Sequence, residues 1–596
     1  MHHEQFVSAA SKLFGAADER VLAQLEQLAE WVHVRRAEHL FRAGDPSDGV
    51  YVVVSGRLQI VGDRGVIGEA TLGETIGEMS FFTSEPRSAA AVAARDSLLI
   101  KFPNDAFERV LTAHPAVVRE LMRVQIARLR RTTAGALVTP NAIDVAVVGL
   151  DDRVPLHELA ARLAAATARI GSTLLLDPDE IDRRLGVEGI SRVTEEDPQN
   201  RPLVAWLNQQ EALYRFVIYQ TDSAMTEWTE RCIRQADRVL LVADAGSDPA
   251  PRPIEALLSD PARLGLPRRT LLLLHPNGDC LPAQSARWLA PRQVEEHHHL
   301  RWNSDADFDR LARFLGGRAV GLVLGGGGAR GFAHIGVIRA LRDANVAIDM
   351  IGGTSMGGSI AAQWAMGWSP EKMLKENRHV WVELRPQKDY TLPMVSLLAD
   401  RATTRCGRMM YGETQIEDLW LRFYCVSSDL ARAEPVVHRS GSLFTALMAT
   451  AAVPGVAPPV LSDGRLLVDG AFLNNVPADV IRQLGCGRVI ASEVTVETDA
   501  TFMCNRVPSP WEMLRSRFGG KKERTKFPSM IEILLRASLL ASSRRQSDAL
   551  KMSDLVFHPP IDAFGLMDFD AIDALEQIGY DHARTQIDAW RAAGSL

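Results

Sequence analysis

Three short stretches of this chain set chemically active residue types beside glycines. The first is Gly353-Thr354-Ser355-Met356-Gly357, which fits G-x-S-x-G. The apolar approach at 346–352 reads as a strand, and 357–366 reads as a helix. A serine pinched between strand and helix sits on a sharp turn that pushes its hydroxyl out at the C-terminal edge of a sheet. Glycine suits positions 353 and 357, because a β-carbon there would collide with neighbouring backbone. Such a hydroxyl becomes a nucleophile once a base accepts its proton.

The second stretch runs a strand over Val320–Leu324 into four glycines, then Ala329-Arg330-Gly331, then a helix carrying Ile335, Ile338 and Leu341. Consecutive glycines turn backbone N–H groups into one concavity, and a helix start adds partial positive charge. The result is a cradle for a phosphate or an oxyanion. Gly326-x-Gly328-x-x-Gly331 also matches a dinucleotide fingerprint, which needs an acidic residue about 20 positions later. Only Asp349 stands there, and Ser355 follows directly. A glycine cradle one crossover before a nucleophile fits an oxyanion hole better.

The base is the open question. Histidine is usual, and His379, His438, His558 and His582 follow Ser355, none in a glycine-marked loop. At 466–480 a short apolar strand instead delivers Asp469 into Gly470-Ala471, before Asn474-Asn475-x-Pro477 opens the next helix. We read Asp469 as the direct acceptor of the Ser355 proton. A free aspartate has a pKa of ~3.9 and is a feeble base at neutral pH. A dry site raises its basicity, and an oxyanion hole contributes ~3–4 kcal/mol per donor. The competing reading is a Ser–Asp–His triad using His558 or His582. His334, inside the helix after the glycine loop, reads as a core histidine.

These groups need a large scaffold, and the chain supplies one. Its 596 residues are too many for a single core, so two to four domains are expected. Hydrophobic residues at 46% and charged residues at 24% fit a globular protein. A net charge of −7 gives no global pull towards nucleic acid, and no nucleic-acid partner is expected. Six scattered cysteines without a CxxC pair point to reduced thiols in the cytoplasm, not to disulfides or zinc. No signal peptide is read at the N-terminus. No apolar run approaches the ~20 residues of a spanning helix, so a membrane is expected to be met peripherally, from its inner face.

Residues 6–30 read as helical, then short strands such as 50–61 and 97–102 alternate with glycine turns, and a helix follows over 105–131, ending near Gly135. This is the pattern of a small β-barrel with flanking helices. Residues 140–315 carry continuous apolar runs at 143–150, 172–176, 215–222, 238–245 and 269–275, the mark of a parallel sheet covered on both faces. No GxxxxGK[ST] loop follows the first run, so we read a coupling domain without NTP hydrolysis. His297-His298-His299 cannot all point one way and read as a loop at a linker edge, so no metal site is expected. A third α/β block begins at Arg318, and its tail, including the apolar stretch 526–540, reads as packed.

The barrel region has its own motif at 72–92. Only Gly77-Glu78, of three Gly-Glu pairs there, is followed nine residues later by Arg87-Ser88-Ala89. Such a loop presents N–H groups and an arginine to a phosphate, while the glutamate accepts from a ribose hydroxyl.

The order and spacing of Gly-Gly-Gly-Ala-Arg-Gly, Gly-Thr-Ser-Met-Gly and Asp-Gly-Ala resemble those of the patatin-like phospholipases. That resemblance implies Ser355 as nucleophile and Asp469 as general base. It implies Gly326, Gly327, Gly328 and Arg330 as the oxyanion loop, with Gly331, Gly353, Gly357 and Gly470 as motif glycines. The 72–92 stretch resembles the phosphate-binding cassette of cyclic-nucleotide-binding domains, with Gly77, Glu78, Arg87 and Ser88 implied as contacts to cAMP or cGMP. Ile76 departs from the aromatic often found there. Together the blocks resemble the neuropathy target esterase family. The implied architecture is a cyclic-nucleotide-binding-like barrel over 1–135, an α/β parallel-sheet coupling domain over 140–315, and an α/β patatin-like hydrolase domain over 316–596 with its motif core at 322–482. The implied function is hydrolysis of phospholipid or lysophospholipid acyl esters, with no catalytic cofactor and a cyclic nucleotide as regulatory ligand. A non-catalytic nucleotide sensor is the other alternative. Residues 383–411 have the length and mixed polarity of a lid.

Overall fold

The computed structural model describes residues 6–7, 9, 26–62, 65–113, 122, 142–194, 196–258, 267–495, 509, 511 and 547–594. Most of the helix read over 6–30, the distal part of that over 105–131, its end near Gly135 and the stretch 526–540 lie outside the described residues. The chain divides into two compact units, one of residues 1–276 with 288–312 and one of 277–287 with 313–596. The barrel and the parallel sheet therefore share a unit, and residues 277–287 and 313–315 of the middle block belong to the other.

The barrel region is two four-stranded antiparallel sheets. One has the order β1-β8-β3-β6, from Glu30–Val34 (β1), Gly49–Ser55 (β3), Thr75–Ile76 (β6) and Ser97–Pro103 (β8). The other has the order β2-β7-β4-β5, from His39–Phe41 (β2), Leu58–Gly62 (β4), Gly65–Ala70 (β5) and Ala90–Ala93 (β7). Strand β3, GVYVVVS, is buried on both faces, with Val50 and Val52 packing on Phe102 and Phe107, and Val53 on Leu58 and Leu99.

Six parallel strands follow: Ile143–Gly149 (β9), Thr173–Leu176 (β10), Phe216–Gln220 (β11), Arg238–Asp244 (β12), Arg268–His275 (β13) and Glu296–Arg301 (β14), in the order β10-β11-β9-β12-β13-β14. Their continuous apolar runs are buried, as a sheet covered on both faces requires. One expectation fails here. His297-His298-His299 are not a loop; they are the middle of edge strand β14, in register with Leu271–Leu273. His298 and His299 are buried, and ring nitrogens of His275 and His299 lie 3.0 Å apart. Histidine carries no apolar periodicity, so pattern reading could not find this strand.

Arg95, buried at the turn between β7 and β8, pairs with buried Asp144 on β9 and lies 2.5 Å from Glu211. Arg36 caps the helix Glu227–Gln235 through the carbonyls of Ile233, Arg234 and Ala236 at 3.1, 2.7 and 2.9 Å. A guanidinium aimed at the carbonyl end of a helix is favoured by its dipole.

The second unit is built on an eight-stranded sheet from Val320–Leu324 (β15), Met350–Thr354 (β16), Arg422–Asp429 (β17), Glu434–His438 (β18), Val460–Ser462 (β19), Arg465–Asp469 (β20), Arg488–Ser492 (β21) and Leu555–Phe557 (β22). The order is β19-β20-β17-β16-β15-β21-β22, with β18 also on β17. The apolar stripe of the helix Ala333–Asp343 packs on the helix Ile572–Ala592. Glycines allow the contact: a Cβ at Gly336 would stand 1.9 Å from the Glu576 carbonyl, and one at Gly579 2.0 Å from that of Ala333. Asp349 serves this scaffold: Arg313 lies 2.6 Å away and the Val320 N–H donates to it at 2.9 Å.

Candidate active site

Strand register brings the serine and the aspartate together. Strand β16 runs parallel to β17 with Thr354 opposite Val426. Strand β20 runs antiparallel to β17 with Asp469 opposite Ser427. Strand β18 occupies the other edge of β17 throughout Cys425–Asp429. Strands β16 and β20 therefore share one edge of β17 and meet head to head, Thr354 and Asp469 ending at consecutive rungs. Gly470 makes the junction possible, since a Cβ there would stand 2.1 Å from the Val426 carbonyl and 2.9 Å from the Thr354 methyl.

Ser355 follows β16 at the turn into the helix Met356–Ala365, with φ 55° and ψ −127°. A positive φ is costly for a residue with a β-carbon and persists only where the surroundings impose it. Here the Ser355 N–H is held by the Thr450 hydroxyl at 3.0 Å. Gly357 lets the helix lie against the neighbouring strand, its absent Cβ falling 2.3 Å from the Leu324 carbonyl.

Asp469 is buried. One carboxylate oxygen accepts from the Ala471 N–H at 2.8 Å, and the Ser355 hydroxyl lies near enough to favour the ionised carboxylate. Burial pushes its pKa up from 3.8 to about 6, against those two groups, which act to lower it. Desolvation wins because no cation among the described residues acts on the carboxylate.

The glycine loop lies against Ser355: a Cβ on Gly326 would come within 3.0 Å of the Ser355 Cβ. The four residues implied as oxyanion donors divide, however. The Gly326 N–H donates to the Asn475 side chain at 3.1 Å. The Arg330 side chain turns to the Phe564 carbonyl at 2.7 Å. The N–H groups of Gly327 and Gly328 have no acceptor among the described residues. Gly328 has φ 56°, and a Cβ there would stand 2.4 Å from the Leu566 carbonyl, so only glycine fits. Gly331 and Gly353 are close approaches of the same kind, to Met356 at 2.5 Å and the Leu324 carbonyl at 2.3 Å.

Two supporting residues escaped the sequence reading: Asn475 clamps the loop and Thr450 holds the elbow. His334, read as a core histidine, also pins the loop's start. His334 is fully buried. Its Nε2 donates to the Gly325 carbonyl at 2.9 Å, which leaves Nδ1 to accept from the Ser492 hydroxyl at 2.9 Å. Burial lowers its pKa to about 4, so it is neutral. The Asn-Asn pair beside Asp469 was the available hint for Asn475. The four histidines downstream of Ser355 have partners elsewhere: His379 with Glu383, His438 with Ser427, His558 with Glu493, and His582 with the His558 N–H.

The cassette in the other unit is arranged differently. Gly77, at φ 85°, opens the short helix Glu78–Thr83, and a Cβ on it would strike Arg87 at 2.2 Å. Arg87 is buried and donates to the Gly77 and Gly49 carbonyls at 2.9 and 2.8 Å. It pairs with Asp48 at 2.7 Å and stacks on the Phe41 ring at 4.2 Å. Glu78 is buried and Ser88 exposed. A hollow of about 740 Å³ beside the cassette is lined by Ser80, Phe81, Pro86 and Asn104 among others, and by none of Gly77, Glu78, Arg87 or Ser88. A cyclic phosphate seeking Arg87 would have to displace Asp48 from the guanidinium.

The chain matches family models along most of its length: a cyclic nucleotide-binding domain over 31–114, the neuropathy target esterase family P-loop like domain over 141–313, and patatin-like phospholipase over 322–482. Patatin-like phospholipase domain-containing protein 6 of Pongo abelii is 33% identical over 98% of this chain and 46% of its own length. Neuropathy target esterase sws of Drosophila melanogaster is 30% identical over 97% of this chain and 43% of its own. Lysophospholipase nte1 of Aspergillus fumigatus is 30% identical over the same shares, 97% and 43%. The chain thus spans less than half the length of these curated relatives. With three domain models in that order and a likeness that runs nearly end to end, the chain is similar to the neuropathy target esterase family of patatin-like phospholipases.

Proposed function

We propose that this chain hydrolyses acyl esters of phospholipids or lysophospholipids with Ser355 as nucleophile and Asp469 as the sole general base. One observation carries the reading: a serine on a strained turn stands beside a buried carboxylate that faces no cation among the described residues. The printed names of the relatives, phospholipase and lysophospholipase, support the substrate class.

The steps follow from the geometry. Ser355 Oγ attacks the ester carbonyl carbon while Asp469 accepts its proton. The carbonyl oxygen becomes an oxyanion and takes hydrogen bonds from the Gly327 and Gly328 N–H groups, which have no acceptor among the described residues. The start of the helix Met356–Ala365 adds favourable potential. Collapse expels the alkoxide of the glycerol backbone, and Asp469 returns the proton to it. Water then attacks the acyl-serine, again losing its proton to Asp469, and the fatty acid leaves as Ser355 regains the proton. A pKa near 6 leaves the carboxylate mostly ionised at neutral pH yet basic enough to hold a proton transiently. Asn475, Thr450 and His334 are positioning residues. No step uses a nucleotide, and we place the enzyme at the cytoplasmic face of a membrane.

The test is hydrolysis of a lipid panel by wild type and Ser355→Ala, with fluorophosphonate labelling alongside. Turnover and label should both vanish in Ser355→Ala. Turnover that survives there, or a folded wild type that never labels at Ser355, rejects the proposal. His558→Gln and His582→Gln should keep full turnover; loss in either would favour the triad.

A further inference from the structure

Residues 389–411 form a structured finger with an apolar tip, followed by a basic helix. Tyr390 bridges Leu398, the Thr391 N–H donates to the Leu397 carbonyl at 3.0 Å, and the Ala399 N–H to the Asp389 carbonyl at 2.7 Å. The Asp389 carboxylate accepts from the Ala402 N–H at 3.1 Å and ties the finger to the helix Arg401–Tyr411. Upstream, Trp381 stacks on Phe569 at 4.7 Å. The base is thus bonded, yet the tip touches little of the protein: Leu392 is 76% exposed, Met394 82% and Val395 68%. A lid over an acyl pocket would turn such side chains inward. An ordered backbone that presents three large apolar side chains to solvent marks an interaction surface.

The finger is mechanically continuous with the catalytic elbow. The N–H groups of Leu397 and Leu398 donate to the carbonyls of Gly455 and Val456, both at 2.9 Å. The same segment holds Thr450, which fixes Ser355, and Ala452, whose carbonyl accepts from the Asp469 N–H at 2.9 Å. Charge selects the partner. Arg401, Arg405 and Arg408 fall at i, i+4 and i+7, on one face of the helix, and all three are exposed. Between 388 and 411 the chain has four basic and two acidic residues, against an overall charge of −7.

We propose that this finger is the membrane-docking element: the side chains of Leu392, Met394 and Val395 enter the acyl region of an anionic phospholipid bilayer while Arg401 and Arg405 meet its headgroups. Two weak signals, an apolar insertion and a basic patch, are what reversible interfacial binding requires. Docking sets the elbow against the lipid layer, so substrate enters without crossing water. This rests on the lipid-hydrolase reading above and deepens it.

The experiment compares the full chain with Leu392→Ser/Met394→Ser/Val395→Ser and with Arg401→Gln/Arg405→Gln. Sedimentation with vesicles measures binding, to phosphatidylcholine alone and to a mixture of two parts phosphatidylcholine with one of phosphatidylglycerol. Turnover is measured on vesicle lipid and on dissolved p-nitrophenyl butyrate. The apolar triple variant should lose about tenfold in vesicle binding and in vesicle-lipid turnover, with dissolved-ester turnover unchanged, which also reports an intact fold. The arginine variant should lose about fivefold on the anionic vesicles only, along with the salt sensitivity of binding. Wild-type-like vesicle binding by the triple variant overturns the proposal, as does an equal loss on the dissolved ester, or a wild type that sediments with neither vesicle. A wild type that docks but hydrolyses neither substrate supports the docking element and rejects the catalytic reading, so the two failures are distinct.

Discussion

Arg87 and Asp469 are both charged groups that their motifs mark for work, both buried, and both reached through a glycine. Their surroundings are opposite. Arg87 has a carboxylate, two carbonyls and an aromatic face around it, so its charge and both terminal nitrogens are already engaged. Asp469 has one backbone N–H and a nearby hydroxyl, and no cation among the described residues. Other buried aspartates of the chain follow Arg87's pattern: Asp349 pairs with Arg313 at 2.6 Å, and Asp307 with Arg301 and Arg310 at 2.7 Å each. For Asp307 burial acts to raise the pKa, but those guanidinium groups outweigh it and hold the carboxyl below its usual range. A paired carboxylate is locked as an anion and supports structure. An unpaired one keeps a proton affinity that chemistry can use.

The contrast can be broken from either side, and the largest effect falls on Ser355. Ser355→Ala should cut ester turnover by at least about 10⁴-fold, without lowering the melting temperature. Asp469→Asn should cut turnover by roughly 10²- to 10⁴-fold and make the protein more stable. The sign follows from linkage. Between the ordinary value of 3.8 and about 6, the folded chain holds a proton that the unfolded chain releases. Stability is therefore lost as pH rises through that window, and the full cost is present above it. Removing the carboxylate should restore about 3 kcal/mol above neutral pH, read by denaturant melts. If the variant is no more stable than wild type there, Asp469 is not the uncompensated group described here.

In the wild type, kcat/KM should climb about tenfold per pH unit below the Asp469 pKa and level off above it. A profile flat through that region would remove Asp469 as the base. Asn475→Ala frees the glycine loop from its clamp and should lower kcat about tenfold with KM little changed, measured on a dissolved ester. Asp48→Ala has the smallest effect. It costs about 1 kcal/mol of stability, Asp48 being half exposed, but releases Arg87. Binding of a fluorescent cyclic nucleotide should then strengthen at least severalfold over the wild type. Equal binding in both would show that Asp48 does not guard the cassette.

Much of the architecture was legible before any coordinates. Strand β15 and the β16–elbow–helix unit announce themselves, because continuous apolar runs against glycine clusters leave few alternatives to a buried parallel sheet. Strand β14 did not, since three histidines carry no hydrophobic period although two are buried. The ion group of Arg95, Asp144 and Glu211 joins positions far apart in the chain, and such pairings leave no local pattern. The oxyanion residues show the same limit. Four candidates look equivalent in sequence, but only the fold reveals that Asn475 takes the Gly326 N–H and the Phe564 carbonyl takes Arg330.

The sequence by itself determined the local chemistry: a serine at a forced turn, a glycine-rich run of amides, an aspartate at a strand end. Those are short-range matters of backbone sterics and side-chain type. Tertiary structure alone decided which groups keep unsatisfied valence. Register along β17 brought Thr354, the residue before Ser355, and Asp469 to consecutive rungs, and burial raised the carboxylate's proton affinity. Desolvation and charge pairing depend on neighbours distant in the chain, so a motif can name a residue but cannot say whether its charge has already been answered.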